Sequence, residues 1–195
     1  MTMKSITVFC GSSFGSEEIY KEQAYLVGKT LAEENIRLIY GGANVGLMGT
    51  VADGTIQNGG KAIGVLPHFL QSKEIAHTNL TELILVETMH ERKTKMNELS
   101  DGVIVLPGGY GTLEEFFEMI TWAQLGLHKK PIAILNIDGF YNDLIKLVQT
   151  MVDKGFLKQI NQEILLVSNS IDELLEKMKN YQAPTVGKWI SKEEV

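Results

Sequence analysis

The feature of this chain that most restricts its fold is a regular alternation of short apolar runs with longer segments of helical periodicity. The runs lack the polar–apolar alternation of strands with one face in water, which indicates strands buried on both faces. Such strands, separated by helices, are typical of a parallel sheet between two helical layers. The sequence therefore predicts an α/β fold, a doubly wound parallel sheet with Rossmann-like, three-layer αβα architecture. The predicted strands lie at residues 6–10, 36–40, 61–66, 82–86, 103–106, 132–135 and near 163–167.

The segments between the strands predict helices at residues 17–34, 46–58, 88–99, 111–125, 140–153 and 171–181. The first helix is expected to turn four side chains toward the core, those of Ile19, Leu26, Val27 and Leu31. Helix 111–125 is apolar over more than one face, which predicts that part of it contacts a partner subunit. Its large apolar side chains are Phe116, Phe117, Ile120, Trp122 and Leu125.

Composition and charge restrict the class of protein. With 195 residues, 44% of them hydrophobic and 22% charged, the chain resembles an average globular domain. We predict one nucleotide-binding Rossmann-like domain over residues 1–183 and a loosely held tail over residues 184–195. The net charge of −6 argues against a nucleic-acid partner, because non-specific binding needs a basic surface. No segment has the length of a membrane span or the pattern of a secretory leader, so we expect a cytoplasmic protein without membrane contact.

The turn at residues 107–112, PGGYGT, is the strongest candidate site. In a doubly wound sheet ligands bind beyond the carboxyl ends of the strands, and this turn joins strand 103–106 to the next helix. Its three glycines let backbone approach a ligand without an intervening Cβ, and Thr112 adds a hydroxyl in the first helical turn. Because the free N–H groups and the dipole of a helix N-terminus favour an anion, the segment predicts a phosphate site.

Two glutamates, Glu114 and Glu115, follow this turn. A carboxylate near a helix N-terminus stabilises the dipole, which accounts for one of them. Glu115 comes four residues after Gly111, so it lies on the helix face that carries the ligand. A carboxylate there can contact sugar hydroxyls or stabilise a cationic sugar.

A second glycine-rich turn, GGANVGLMG at residues 41–49, also enters a helix. Two interpretations are equal for it: it binds phosphate, or its glycines let helix and strand pack closely. Neither turn forms a dinucleotide fingerprint. GSSFG at residues 11–15 lacks the Gly-x-Gly-x-x-Gly spacing, and Tyr40 stands where an acidic residue would end the second strand. The sequence thus argues against an NAD-dependent dehydrogenase.

The charged helix at residues 88–99 carries MHERK at positions 89–93. An arginine near a helix N-terminus opposes the dipole, so Arg92 suggests a charged ligand, although a helix of mixed charge is ordinarily a solvated face. The four histidines and Cys10 have no metal-ligand spacing, and we predict no metal site. Cys10 ends an apolar strand and is predicted to be a small buried residue rather than a nucleophile.

Taken together, the motifs resemble those of the Lonely Guy (LOG) family of cytokinin riboside 5′-monophosphate phosphoribohydrolases, often misnamed lysine decarboxylases. The resemblance extends from residue 9 to about residue 180. It implies a homodimer that hydrolyses the N-glycosidic bond of an N6-modified or plain adenosine 5′-monophosphate, giving the free cytokinin or adenine base and ribose 5-phosphate. It rests on GGA at 41–43, GLMG at 46–49, MHERK at 89–93 with Met96, PGGYGTLEE at 107–115 and ITWAQLG at 120–126.

The resemblance also implies the site residues. The family's catalytic arginine corresponds to Arg92, and the glutamate that ends its glycine motif corresponds to Glu115. Glu74 corresponds to an acidic residue that family members place near the base. The implied partner is a nucleoside monophosphate, with no cofactor. The implied substrate-binding positions are Glu74, Met89, Arg92, Lys93, Gly108, Gly109, Tyr110, Gly111, Thr112, Leu113, Glu114 and Thr121.

The expected chemistry agrees with these assignments. Departure of adenine develops positive charge on the ribose, as in glycoside hydrolysis, and Glu115 can stabilise that charge and deprotonate the attacking water. Arg92 can hold the phosphate or ribose and help to polarise the base. The alternative is a non-catalytic nucleotide or cofactor carrier of the same fold. A carrier would keep the glycines but would not need the Arg92–Glu115 pair.

Overall fold

The computed structural model describes residues 3–71 and 76–184. Seven strands form one sheet in the order β4-β3-β2-β1-β5-β6-β7, and every neighbouring pair is parallel. The chain therefore builds one half of the sheet outward from β1 and then returns to build the other half, which confirms the predicted doubly wound topology. The strands are β1 Ser5–Phe9, β2 Arg37–Tyr40, β3 Ala62–Pro67, β4 Glu82–Val86, β5 Gly102–Val105, β6 Ile132–Leu135 and β7 Leu165–Ser168.

The helices form two layers, each with its own apolar core against the sheet. The helices are α1 Glu18–Glu33, α2 Gly46–Gln57, α3 Met89–Leu99, α4 Tyr110–Gln124, α5 Asn142–Asp153, α6 Gln159–Gln162 and α7 Ile171–Lys179. On one face, α1, α2 and α7 pack on strand residues such as Val8 and Ile104. On the other face, α3, α4 and α5 pack on residues such as Phe9 and Val105. Successive strand residues thus serve opposite cores, which explains why the strands lack polar alternation.

The first helix departs from its predicted orientation at one position. Val27 and Leu31 are fully buried, as expected, and Ile19 packs partly buried against the same core. Leu26 is 38% exposed, so the prediction that it faces inward is wrong. The reason is the close approach of α1 to α2 through Gly28, where an added Cβ would lie 2.1 Å from the Val51 carbonyl oxygen. This contact turns a stripe of small residues toward α2 and leaves Leu26 at its border.

Most predicted boundaries lie within one or two residues of the observed ones. Two short 3-10 helices, His68–Leu70 and Ile137–Gly139, and helix α6 were not predicted. The second 3-10 helix contains Asp138 with a φ of 49°, and this left-handed backbone delays the start of α5 to Asn142. Within the described ranges no helix is both long and apolar enough to cross a membrane. The predicted tail lies outside the described residues apart from Pro184.

Candidate active site

A cavity of about 360 Å³ opens at the carboxyl edge of the sheet, above the ends of β1 and β5. Since β2 and β5 flank β1, this is where the strand order reverses and where doubly wound folds bind ligands. Five parts of the chain line the cavity: the end of β1, the turn after β2 with α2, the 3-10 helix after β3, helix α3, and the N-terminus of α4.

The turn at residues 107–112 presents the open end of α4 to this cavity. The first helical hydrogen bond of α4 runs from the Leu113 N–H to the Gly109 carbonyl over 3.1 Å, so the three preceding N–H groups precede the helical ladder. An added Cβ at Gly109 or Gly111 would meet nothing within 4 Å, and neither glycine has a positive φ. Neither local packing nor backbone conformation requires glycine at these two positions, so the free space suits the approach of a ligand.

Gly108 has a different environment from its neighbours. An added Cβ there would lie 2.1 Å from the Thr112 hydroxyl oxygen and 2.9 Å from the Gly11 backbone nitrogen. The Gly11 N–H also donates to the Pro107 carbonyl over 3.0 Å. Gly108 therefore holds the turn tightly against the end of β1, and Gly109 and Gly111 keep its outer side open.

Helix α3 begins with two side-chain capping hydrogen bonds that fix its orientation. The Thr88 hydroxyl accepts from the Glu91 N–H over 3.1 Å, and the Glu91 carboxylate accepts from the Glu87 N–H over 2.8 Å. The buried residues of the helix are Arg92 and Met96, which lie four positions apart on the face toward the sheet. Arg92 is thus buried rather than part of a solvated face.

The Arg92 guanidinium is held in place by backbone carbonyls. Its Nε donates to the Val65 oxygen over 3.1 Å, and its Nη2 donates to the Gly41 oxygen over 3.3 Å. A guanidinium has five N–H donors, so these bonds fix its plane and leave donors for a ligand in the cavity that Arg92 lines. The residue is 6% exposed, so its charge is largely shielded from bulk water.

Glu115 lies in the same cavity wall, half-buried, with its charge close to Cys10. Burial raises the pKa of the Cys10 thiol well above its usual range, the Glu115 charge raises it further, and the Arg92 charge opposes them. The charges of Glu115 and Arg92 therefore both act on the Cys10 thiol, which lines the cavity. Cys10 is 6% exposed and stays a neutral thiol, which confirms that it is a small buried residue.

Lys93 connects α3 to α4. Its ammonium forms ion pairs with Glu114 and, over 3.0 Å, with Glu118. Burial lowers the pKa of Lys93, but the two carboxylates outweigh it and raise the pKa above its ordinary value. Lys93 therefore remains charged and ties together the helices that carry Arg92 and Glu115.

The second glycine-rich turn is filled by protein atoms. An added Cβ at Gly41 would lie 2.0 Å from the Arg92 Nη2. Gly46 has a φ of +55°, and its Cβ would lie 2.2 Å from the Ser12 carbonyl carbon. The Leu47 N–H at the start of α2 donates to the Gly11 carbonyl over 3.1 Å. Of the two interpretations, the structure favours close packing over phosphate binding.

Thr121 and Leu113, two other predicted site residues, are not among the residues that line the cavity. Thr121 is exposed farther along α4, where its hydroxyl donates to the Phe117 carbonyl over 2.6 Å. Leu113 packs against the core on the α4 side of the sheet. Glu74 lies outside the described residues. The predicted residues that line the cavity are Met89, Arg92, Gly109, Tyr110, Gly111, Thr112, Glu114 and Glu115.

Several lining residues were missed as site residues, among them Met48 and Leu70. Leu70 belongs to no motif, so no sequence signal distinguishes it from core residues, whereas Met48 stands in GLMG at 46–49, one of the motifs that carry the family resemblance. Gly11 and Ser12 also line the cavity, and the small-residue turn after the first strand was a signal for them. In the described part of the chain, no group of three or more His, Cys, Asp or Glu side chains is arranged to hold a metal ion.

The chain is similar to known proteins in sequence and in fold. The family model described as "Possible lysine decarboxylase" matches residues 48–178. The chain is 45% identical over 190 residues to a protein of Oryza sativa subsp. japonica named "Probable cytokinin riboside 5′-monophosphate phosphoribohydrolase LOGL2", covering 97% of this chain and 77% of that protein. It is 44% identical over 178 residues to cytokinin riboside 5′-monophosphate phosphoribohydrolase LOG1 of Arabidopsis thaliana, covering 91% and 84%.

Among solved structures, a molybdenum cofactor binding protein from Rippkaea orientalis has a similar fold. Its TM-score is 0.67 at 25% sequence identity, covering 92% of this chain and 97% of that chain. The identity to the phosphoribohydrolases is considerably higher and extends over nearly the whole chain. The chain therefore belongs to the LOG family.

Proposed function

We propose that this protein hydrolyses the N-glycosidic bond of a cytokinin riboside 5′-monophosphate or of AMP, releasing the base and ribose 5-phosphate. One observation carries the proposal: the open N-terminus of α4, the half-buried Glu115 and the buried Arg92 line a single cavity at the switch point of the sheet. The names of the LOG relatives point to the same reaction.

The 5′-phosphate would be bound at the start of α4. The N–H groups of residues 110–112 and the Thr112 hydroxyl offer donors to its oxygens, and the helix dipole adds a favourable potential. Gly109 and Gly111 leave room for the phosphate because no side chain covers the backbone. This anchor is remote from the bond that breaks, so it orients the ribose rather than activating it.

Glu115 would act on the anomeric carbon. Its carboxylate accepts a proton from water, the water oxygen forms a bond to C1′, and the C1′–N9 bond breaks with its electron pair leaving on the base. Before attack is complete, the ribose carries positive charge, which a nearby carboxylate stabilises. The departing base takes up one proton and Glu115 releases the one it received, so the net reaction consumes one water molecule.

Arg92 would hold the substrate opposite Glu115. Its bonds to the Val65 and Gly41 carbonyls fix the guanidinium before substrate binds, so little entropy is lost when its remaining donors contact phosphate, ribose or base. Lys93 would support this geometry through Glu114 and Glu118.

The base would lie against the apolar part of the cavity. Met48, Leu70, Met89 and Met96 supply flexible or branched apolar surface there. Methionine side chains adapt to irregular shapes, which suits a purine with or without an N6 substituent.

The family description "Possible lysine decarboxylase" does not fit this site. Pyridoxal phosphate is held by a lysine Schiff base, and no lysine is present among the described residues that line the cavity. Lys93, on the same helix as Arg92, is engaged by two carboxylates. Hydrolysis consumes only water, so we propose no cofactor.

We also propose a homodimer that uses the outer face of α4, and we expect the enzyme in the cytosol. Phe117 is 37% exposed on this helix, and Trp122 is half-buried. Light scattering coupled to size exclusion tests the dimer: Phe117→Glu should yield monomers if the face is the interface. An unchanged dimer mass would assign the interface elsewhere.

The hydrolase is tested by chromatographic detection of free base from AMP and isopentenyladenosine monophosphate. We expect wild type to release base and Glu115→Gln to lose about 100-fold or more in kcat, because the amide cannot accept the proton of water. Glu98→Gln, at an exposed glutamate of α3, is the matched control and should keep full activity. Tight nucleotide binding by wild type without base release would favour the carrier.

A further inference from the structure

The Tyr141 side chain reaches from the start of α5 to the strand that precedes the glycine turn. Tyr141 is 2% exposed, and its hydroxyl donates to the Leu106 carbonyl over 2.8 Å. Leu106 is fully buried and is followed directly by Pro107, the first residue of the turn. A buried phenol is thus bonded to the backbone that leads into the candidate phosphate site.

The pairing of β1 with β5 explains why this carbonyl needs a partner. The Leu106 N–H donates to the Phe9 carbonyl over 2.9 Å, and a regular parallel ladder would next bring the Gly11 N–H to the Leu106 carbonyl. Instead, the Gly11 N–H donates to the Pro107 carbonyl over 3.0 Å. The pairing has shifted by one residue, so the buried Leu106 carbonyl has left the ladder, and the Tyr141 hydroxyl satisfies it.

Tyr141 is itself held by the ends of the neighbouring strands. Its N–H donates to the Asn136 side-chain oxygen over 2.8 Å, and the Asn136 N–H donates to the Ser168 carbonyl over 2.8 Å. Burial, followed by the nearby Cys10, raises the pKa of the Tyr141 phenol above its ordinary value, so the hydroxyl remains a donor. The Tyr141 ring also packs in a T-shaped arrangement against the Phe140 ring, with centroids 4.8 Å apart.

We propose that Tyr141 is a positioning residue that stabilises the shifted pairing at Leu106 and thereby aims the 107–112 turn at the cavity. Irregular pairing of this kind re-aims backbone near active sites, and here it sets the direction in which the α4 N–H groups point. This inference rests on the proposed function in one respect: it takes the N–H groups at the start of α4 to be the site that binds phosphate. Tyr141 touches neither the cavity nor the reacting atoms; it acts through the backbone.

The chain offers a matched control in Tyr40. Tyr40 is fully buried, and in the parts of the chain that the structure describes its hydroxyl has no hydrogen-bond partner. Tyr40→Phe and Tyr141→Phe each remove one buried phenol oxygen, but only Tyr141→Phe leaves a carbonyl without its donor.

The experiment is calorimetric titration of wild type, Tyr141→Phe and Tyr40→Phe with ribose 5-phosphate, well below the melting temperature of each. We expect the Kd to rise about tenfold in Tyr141→Phe and to stay within about twofold of wild type in Tyr40→Phe. A purely structural role would lower the melting temperature of Tyr141→Phe and leave its Kd within about twofold, and this result would overturn the proposal.

Release of adenine from AMP by wild type is measured in parallel and separates the two proposals. Wild type that binds ribose 5-phosphate but releases no adenine would refute the hydrolase, whereas the Tyr141 comparison would still be decided by the Kd values. Wild type that does not bind ribose 5-phosphate would overturn the phosphate site at α4 and with it the role of Tyr141, and release of adenine would still decide the hydrolase. Base release with equal Kd values in all three proteins would overturn only the role of Tyr141.

Discussion

The two glycine-rich turns of this protein have the same design in sequence and opposite environments in the fold. Residues 41–49 join β2 to α2, and residues 107–112 join β5 to α4, so both lead from a buried strand into a helix at the carboxyl edge of the sheet. At the first turn, the Gly11 carbonyl accepts from the Leu47 N–H. At the second, the N–H groups that precede the helical ladder face a cavity.

The glycines differ in the same way. At Gly41 and Gly46 an added Cβ would overlap Arg92 and the Ser12 backbone, whereas at Gly109 and Gly111 it would meet nothing within 4 Å. Glycine in the first turn permits contact between parts of the chain, and glycine in the second preserves space for something outside the chain. A glycine motif therefore indicates that other atoms come close to the backbone. Only the fold decides whether those atoms belong to the chain itself or to a ligand.

The largest effect is expected at Gly46, where a substitution disrupts the close contact with the Ser12 backbone. Gly46→Ala places a Cβ 2.2 Å from the Ser12 carbonyl carbon at a φ of +55°. The clash is with Ser12 backbone atoms, and the positive φ strains the backbone of residue 46 itself. The clash can therefore be relieved only if the turn after β1 moves. We expect a loss of at least about 3 kcal/mol in the free energy of unfolding, measured by denaturant titration. An unchanged free energy of unfolding would contradict the conclusion that Gly46 is packed tightly against the chain whereas Gly111 is not.

The next effect is expected at Gly41 and acts on catalysis. Gly41→Ala places a Cβ 2.0 Å from the Arg92 Nη2, the end of a flexible side chain, so Arg92 moves and the fold persists. We expect kcat/KM to fall about 100-fold with a melting temperature within a few degrees of wild type.

A double-mutant cycle tests whether Gly41 acts through Arg92. Arg92→Lys also removes the fixed guanidinium, so the double variant should lose little more than the poorer single variant. Full additivity of the two losses would contradict this coupling.

The smallest effect is expected at Gly111, where, in contrast to Gly46, a substitution should weaken ligand binding without lowering stability. Gly111→Ala adds a methyl in open space within α4, where alanine is the better helix former, so stability should stay equal or rise by up to about 1 kcal/mol. The methyl occupies space at the cavity wall, and we expect the Kd for ribose 5-phosphate to rise about tenfold. Calorimetry and thermal unfolding of the same samples check both parts. Unchanged affinity would remove Gly111 from the phosphate site.

Much of the fold could be predicted because each strand and helix carries its own periodicity. The strands 82–86 and 132–135 were predicted with their observed limits. The orientation of Leu26 could not be predicted, because it depends on how closely α1 approaches α2 through Gly28. The late start of α5 could not be predicted either, since it follows from a left-handed residue, Asp138, that is not a glycine.

The candidate site was predictable where chemistry requires a distinctive local pattern. Glycines before a helix and paired glutamates within it are such patterns, and they led to residues 107–115. Leu70 entered the site without any pattern, because an apolar side chain is suited equally to a core and to a cavity wall. The hydroxyl of Tyr141 is a similar case, since its partner Leu106 is 35 positions away in sequence.

By itself, the sequence determined the layered α/β fold, the glycine-rich start of the helix at 107–112 and the family resemblance. These properties depend on local periodicity, on free helix N–H groups and on residue spacing. Only the tertiary structure decided which glycine turn is open, that Arg92 is buried against the Val65 and Gly41 carbonyls, and that Lys93 bridges two helices. These properties depend on which distant backbone atoms occupy the space beside each residue, and sequence spacing does not encode that occupancy.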